Sequence, residues 1–254
     1  MNFEEIVGHH LLDHTVRPLF AVGGVRLDLT KHLLMMWGVG SLLLVGVSLL
    51  ARGRSGPARL ARAALEMAVL FIRDGIVDPI LGHEGRRYLH YFLTLFFFIV
   101  LCNLAGLVPF GATATGNIGV TAALATCTFG LIVLGGVRAQ GVLGFIKHLV
   151  PSGLPLAILP IMYVVELLGL FAKCFALTIR LFANMIAGHI VALGFLSLIF
   201  TFGAASEWQG LAVAPFSVAL VVFVNALEIL VCLLQAYIFT MLTAVFVGGA
   251  LHAH

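Results

Sequence analysis

The sequence predicts an all-α integral membrane protein, and three observations carry that prediction. Of its 254 residues 61 % are hydrophobic and only 10 % are charged. The mean hydropathy is +1.14, and no Asp, Glu, Lys or Arg occurs from Tyr91 to Val137. Such a chain has too little polar surface to cover a water-exposed body, whereas a hydrocarbon core of roughly 30 Å accepts apolar runs of about 20 residues as helices. Five membrane-embedded helices and one interfacial amphipathic helix are expected, the last two being long, strongly tilted and antiparallel. The expected boundaries are an external N-terminal segment at 1–31, a first span at 32–51, an interfacial helix at 57–80, a transmembrane hairpin at 88–137 and a tilted helix hairpin at 155–250, all within a single membrane domain over 1–254.

The first span, LLMMWGVGSLLLVGVSLLA, is followed at once by RGRSGPARLAR. By the positive-inside rule these arginines place that end in the cytoplasm and the N-terminus outside. Residues 57–75 carry Arg59, Arg62, Glu66 and Arg73 at steps of 3, 4 and 7, a narrow polar stripe at helical period that suits a helix lying in the interface. LHYFLTLFFFIVLCNLAGLV, the turn PFGATATGN and the run from Ile118 to Val137 then read as a hairpin. Arg86 and Arg87 precede it and Arg138 follows it, so its glycine- and threonine-containing turn faces outward. Asn103, Thr121, Thr126 and Thr128 are expected to pack helices or bond back to their own backbone.

A continuous helix over about 40 residues from Ala157 to Phe200 is roughly 60 Å long, twice the core thickness. It must slant, bend at Gly169, Gly188 or Gly194, or leave its Glu166 end in the interface. After the outer turn FGAASEWQG, residues 213–249 run almost uninterrupted, with Pro215 expected near the helix start.

Polar groups in these two helices are few and patterned. Arg180 is alone among fully charged residues from residue 177 to 200, and a fixed charge at such depth marks function more often than packing. Glu166, Lys173, Arg180 and Asn184 share a stripe, because steps of 7, 7 and 4 nearly close whole turns. On the last helix Asn225, Glu228 and Gln235 share a side. An antiparallel hairpin about residue 208 sets His189 opposite Glu228 and Arg180 opposite Gln235. His189 with Glu228 reads either as a buried pair fastening two helices or as a proton relay, since a histidine beside a carboxylate titrates near neutral pH. A metal site lacks ligands at coordination spacing. No carboxylate of the chain suits Arg180, so its counter-charge is expected from another subunit.

Other function classes fit less well. The net charge of +3 and the placement of basic residues at loop ends argue against nucleic acid as a partner. Cys102, Cys127, Cys174 and Cys232 stand singly in apolar segments without C-x-x-C spacing, so buried thiols are expected rather than disulfides. Met1 to Thr30 lacks a basic region followed by an apolar run, unlike a cleavable signal peptide. A secondary transporter is the alternative, but it calls for inverted repeats with interrupted helices in both halves. An intramembrane hydrolase needs a nucleophile with its base or a motif such as H-E-x-x-H.

The strings LTIRLFANMIAGH and NALEILVCLLQAYIFTMLTAVF resemble the two signature helices of the a subunit of F-type ATP synthases, and the likeness reaches back through HEGRRYLHYFLTLFFFIVLCNLAGLVP and VTAALA to about residue 65. The resemblance implies a non-catalytic, proton-conducting stator of the Fo sector in a bacterial inner membrane. Its implied partners are the c-ring, the b subunits of the peripheral stalk, the lipid bilayer and, indirectly, the F1 sector; no cofactor is implied. Arg180 matches the essential arginine facing the ring carboxylate, and Gln235 the glutamine beside it. His189 and Glu228 match the pair lining the outer half-channel, with Asn184 and Asn225 near it. Glu166 and Lys173 match polar positions of the cytoplasmic half-channel. Some relatives carry the acid on the arginine-bearing helix and the histidine on the last one; here the types are exchanged. The turn PFGATATGN lacks the acid that some relatives place there, so it is expected to have no channel role. No G-x-x-x-x-G-K-[ST] is present, consistent with nucleotide chemistry in other subunits.

Overall fold

The computed structural model describes residues 15–22, 25–53, 56–108, 113–148, 155 and 158–251. The expectations for residues 1–14, for 109–112 of the outer turn and for most of 149–157 lie outside these. Among the described residues five helices are long and apolar enough to cross a membrane, so the helical membrane architecture holds. The chain divides into two compact units. The first comprises Met1–Leu42, Ile99–Asn117 and Leu181–Gln235; the second comprises Leu43–Phe98, Ile118–Arg180 and Ala236–His254.

In the first unit, β1 (Thr15–Val22) and β2 (Val25–Thr30) pair antiparallel, Thr15 opposite Thr30 and Val22 opposite Val25. The expectation for 1–31 contained no strand. The register shifts between Pro18 and Phe20, where proline lacks the N–H that a regular ladder requires. The ribbon leads into α1 (Lys31–Arg52), the first span. Trp37, Leu44 and Leu49 of α1 are exposed, as suits a helix whose solvent is lipid.

The second unit contains α2 (Gly56–Ile72), a π-helical turn (Arg73–Val77) and the short α3 (Asp78–Leu81). The single helix expected over 57–80 is thus interrupted. A π turn inserts a residue and rotates the following face, here burying Ile72, Ile76, Val77 and Leu81 together. The rotation leaves Arg73 outside, where its guanidinium donates to Asp74 at 2.6 Å and holds that carboxyl below its usual range. Arg62 and Glu66 pair at 2.8 Å along the exposed polar stripe. Gly82, at φ 57, turns the chain into α4 (Gly85–Leu107).

α5 (Ile118–His148) continues past the expected end at Val137 and contains one non-helical residue, Gly141, at φ 75. Glycine alone adopts that backbone readily. The Phe145 ring then lies against Gly136, in space a side chain there would occupy. Also in the second unit, the Thr128 hydroxyl lies 3.3 Å from Tyr91 Oη and 3.4 Å from Thr243 Oγ1. Thr126 bonds back to the Ala122 carbonyl, as expected. Interhelical hydrogen bonds in membranes average about 0.6 kcal/mol, so no one of these contacts fixes the fold; close packing around Phe92, Ile132, Phe239 and Val247 does more.

α6 (Leu159–Ala205) has 47 residues and α7 (Glu207–Leu251) has 45, roughly 70 Å of rise each. Neither fits upright in a core of roughly 30 Å. The hairpin between them is tighter than expected: Ser206 alone separates the helices, where a turn over 202–210 was expected. Gly203 and Gly210 permit this, because a methyl on Gly210 would stand 2.7 Å from Gly203 Cα. Pro215 therefore lies inside α7 instead of at its start. The cysteines are free thiols; Cys102 and Cys232 are buried as expected, but Cys127 is exposed.

Candidate functional site

In the first unit, α6 and α7 run antiparallel and bring His189 and Glu228 together, as their numbering predicts. His189 Nδ1 lies 3.5 Å from Glu228 Oε1, with the histidine side chain 23 % and the glutamate 4 % exposed. Neither carboxyl oxygen has a hydrogen-bond partner among the described residues. The acid fits because position 188 is glycine: a methyl on Gly188 would stand 2.7 Å from Glu228 Oε1.

The other ring nitrogen of His189 is also engaged. Nε2 lies 2.6 Å from Thr113 Oγ1, and Thr113 belongs to the outer turn for which no role was expected. Thr113 contributes a hydroxyl to the cluster. Beyond it, Thr115 Oγ1 donates to Asn103 Oδ1 at 2.6 Å, and the Asn103 amide reaches the Cys232 carbonyl at 3.5 Å. Asn103 is the helix-packing residue expected.

Asn184 Nδ2 donates to Gln235 Oε1 at 2.7 Å, while Gln235 Nε2 is buried without a partner. Ser217 Oγ is buried and unpartnered too. Ser217, Glu228 and Gln235 are separated by 11 and 7 residues and so lie within about 20° of one another around α7. Buried polar atoms that lack a protein partner are commonly bonded by ordered water. Asn225 is exposed and off this buried stripe. Sequence reasoning missed Ser217, whose signal is its helical phase with Glu228.

In the second unit, Glu166 and Lys173 of α6 line a cavity of about 380 Å³ with Gln140 and Phe145 of α5 and Phe246 and Ala250 of α7. Lys173 Nζ lies over the Phe246 ring, 5.5 Å from its centroid. Gln140 donates to the Ala250 carbonyl at 3.0 Å and keeps a buried, unpartnered Oε1. A second groove of about 310 Å³ is lined by Lys173, Arg180 and apolar neighbours including Leu177 and Leu242. Arg180 is exposed, and no carboxylate among the described residues stands within ion-pair distance of it. A charge inside an apolar span costs about 3 kcal/mol even on insertion scales.

Residues 33–248 match the family model described as "ATP synthase A chain". The chain is 46 % identical over 238 residues to ATP synthase subunit a of Chloroherpeton thalassium, covering 92 % of this chain and 69 % of that protein. It is 42 % identical over 263 residues to the subunit a of Pelodictyon phaeoclathratiforme, with 97 % and 75 % covered. Against the subunit a of Myxococcus xanthus the identity is 46 % over 231 residues, with 89 % and 74 % covered. This membrane chain belongs to the ATP synthase a subunit family.

Proposed function

We propose that this chain is the non-catalytic stator through which protons cross the Fo sector of ATP synthase, and that Arg180 faces the carboxylates of a rotating c-ring. The observation that carries the reading is the exposed guanidinium of Arg180 on a long apolar helix, with no carboxylate at ion-pair distance among the described residues. A positive charge in low dielectric holds a passing carboxylate ionised, so that the carboxylate releases its proton on one side. The same charge repels protons that would leak directly between the half-channels.

The outer half-channel runs along the buried stripe of α7, with His189 and Glu228 as its titrating pair and Asn184 and Gln235 as the amides that order its inner stretch. Asn225 lies beside this path. The inner half-channel is the cavity lined by Glu166 and Lys173. Both helices slant, because helices of this length must, and a slanted helix follows the curved wall of a ring. Across the membrane each proton contributes about 2.3 kcal/mol per 100 mV. The chain sits in a bacterial inner membrane with its N-terminus outside, contacts the b subunits of the peripheral stalk and the lipid bilayer, and acts on the F1 sector only through the ring. Residues 1–254 work as one membrane domain.

The test is Arg180→Ala in the assembled complex. The expected result is loss of proton-driven ATP synthesis with the c-ring still bound. Synthesis at the native rate would overturn the reading.

A further inference from the structure

We infer that Thr113 is a positioning residue for the outer proton path: its hydroxyl donates to His189 Nε2 and so keeps the single ring proton of the neutral histidine on Nδ1, facing Glu228. This rests on the reading of His189 and Glu228 as the outer half-channel pair.

The geometry is built for that contact. Thr113 is buried, and its Oγ1 lies 2.6 Å from Nε2. The hydroxyl occupies space on α4 that exists because residue 106 is glycine; any side chain at Gly106 would overlap it. The Thr113 carbonyl accepts from Gly116 N at 2.8 Å, and Thr115 is tied to Asn103 two residues on. The hydroxyl is therefore held in place by the fold.

With Glu228 ionised, the choice of tautomer follows from counting protons. A neutral imidazole has one N–H and one lone pair. If Nε2 carried the proton, the Nδ1 lone pair would face an ionised Glu228 at 3.5 Å, two electron-rich groups set against each other. With Thr113 donating to Nε2, the Nδ1 proton points at the acid, whose oxygens have no other partner among the described residues. A hydrogen bond to one imidazole nitrogen that fixes the chemistry of the other is a general device.

The experiment uses the whole ATP synthase in lipid vesicles, with ¹⁵N-labelled histidine and the His189 signal assigned by difference against His189→Gln. Native complex is expected to show Nδ1–H at neutral pH. Thr113→Val, which removes the hydroxyl and keeps the shape, is expected to shift the ring toward Nε2–H and to lower proton flux about 3- to 10-fold, the worth of one hydrogen bond. Thr113→Ser, which keeps the hydroxyl, is expected to hold the native tautomer and a flux within about twofold of native. The inference is overturned if native His189 is the Nε2–H form, if Val leaves tautomer and flux unchanged, or if Ser loses either. Should Val fail to assemble, the native and Ser spectra still decide. Failure of the half-channel reading is separate: His189→Ala and Glu228→Ala would lower synthesis by the same factor at every pH, while the His189 tautomer would stand as found.

Discussion

In the first unit Glu228 is 4 % exposed, 3.5 Å from His189 and backed by a glycine. In the second unit Glu166 and Lys173 line a cavity of about 380 Å³ in which, among the described residues, neither makes an ion pair. Both places hold ionisable groups within apolar helices, yet they treat them oppositely. Around His189 the protein itself supplies a neighbour to each ring nitrogen, Thr113 Oγ1 at 2.6 Å and Glu228 Oε1 at 3.5 Å. Around Glu166 the space is large enough for water to solvate the charges, and geometry matters less. A path made of side chains is sensitive to single atoms, whereas a path made of water tolerates substitution of its lining.

The contrast can be broken most severely at Arg180, on the second unit's share of α6. Arg180→Ala is expected to abolish coupled synthesis, as already stated. Next come His189→Ala and Glu228→Ala, each expected to reduce proton-driven synthesis about tenfold, equal to about 1.4 kcal/mol. The rate–pH profile should lose its step between about pH 5 and 8 once the histidine is gone. Loss by the same factor at every pH in both variants would make the pair a mere helix fastener. Gly188→Ala is expected to cost about 1–3 kcal/mol by overpacking and to lower flux severalfold, because its methyl must displace the carboxyl; thermal unfolding of the detergent-solubilised complex and flux in vesicles measure the two parts. The smallest effects are expected in the cavity. Glu166→Gln and Lys173→Ala should each change flux no more than about twofold, since water takes over the lost contacts. A tenfold loss in either would show that side chains carry the proton there too.

What could be read from residues alone follows from how expensive polar groups are in lipid. Arg180, His189 and Glu228 stand out because few polar residues share their helices, and antiparallel numbering about the turn was enough to set His189 against Glu228. The long last helices were legible from length alone. The contribution of Thr113 was not, because its distance of 76 residues from His189 is closed only when the outer turn folds back. The tightness of the turn at Ser206 depends on Gly203 meeting Gly210 backbone to backbone, a contact between positions and not a pattern along the chain. The π turn at Arg73 and the kink at Gly141 shift helical phase without any break in hydropathy, so periodicity reads straight through them. At the N-terminus, the absence of an apolar helix said nothing about the ribbon of Thr15–Val22 and Val25–Thr30.

The missing methyl at position 188 carries a consequence for how such subunits diversify. A carboxyl reaching across from α7 needs that hollow on α6; an imidazole reaching from the same place, with the acid rooted on α6 itself, would make a different demand on it. Swapping the two titrating residue types between the helices is therefore a three-position change, and a chimera that exchanges only residues 189 and 228 should leave a void or a collision at its neighbour.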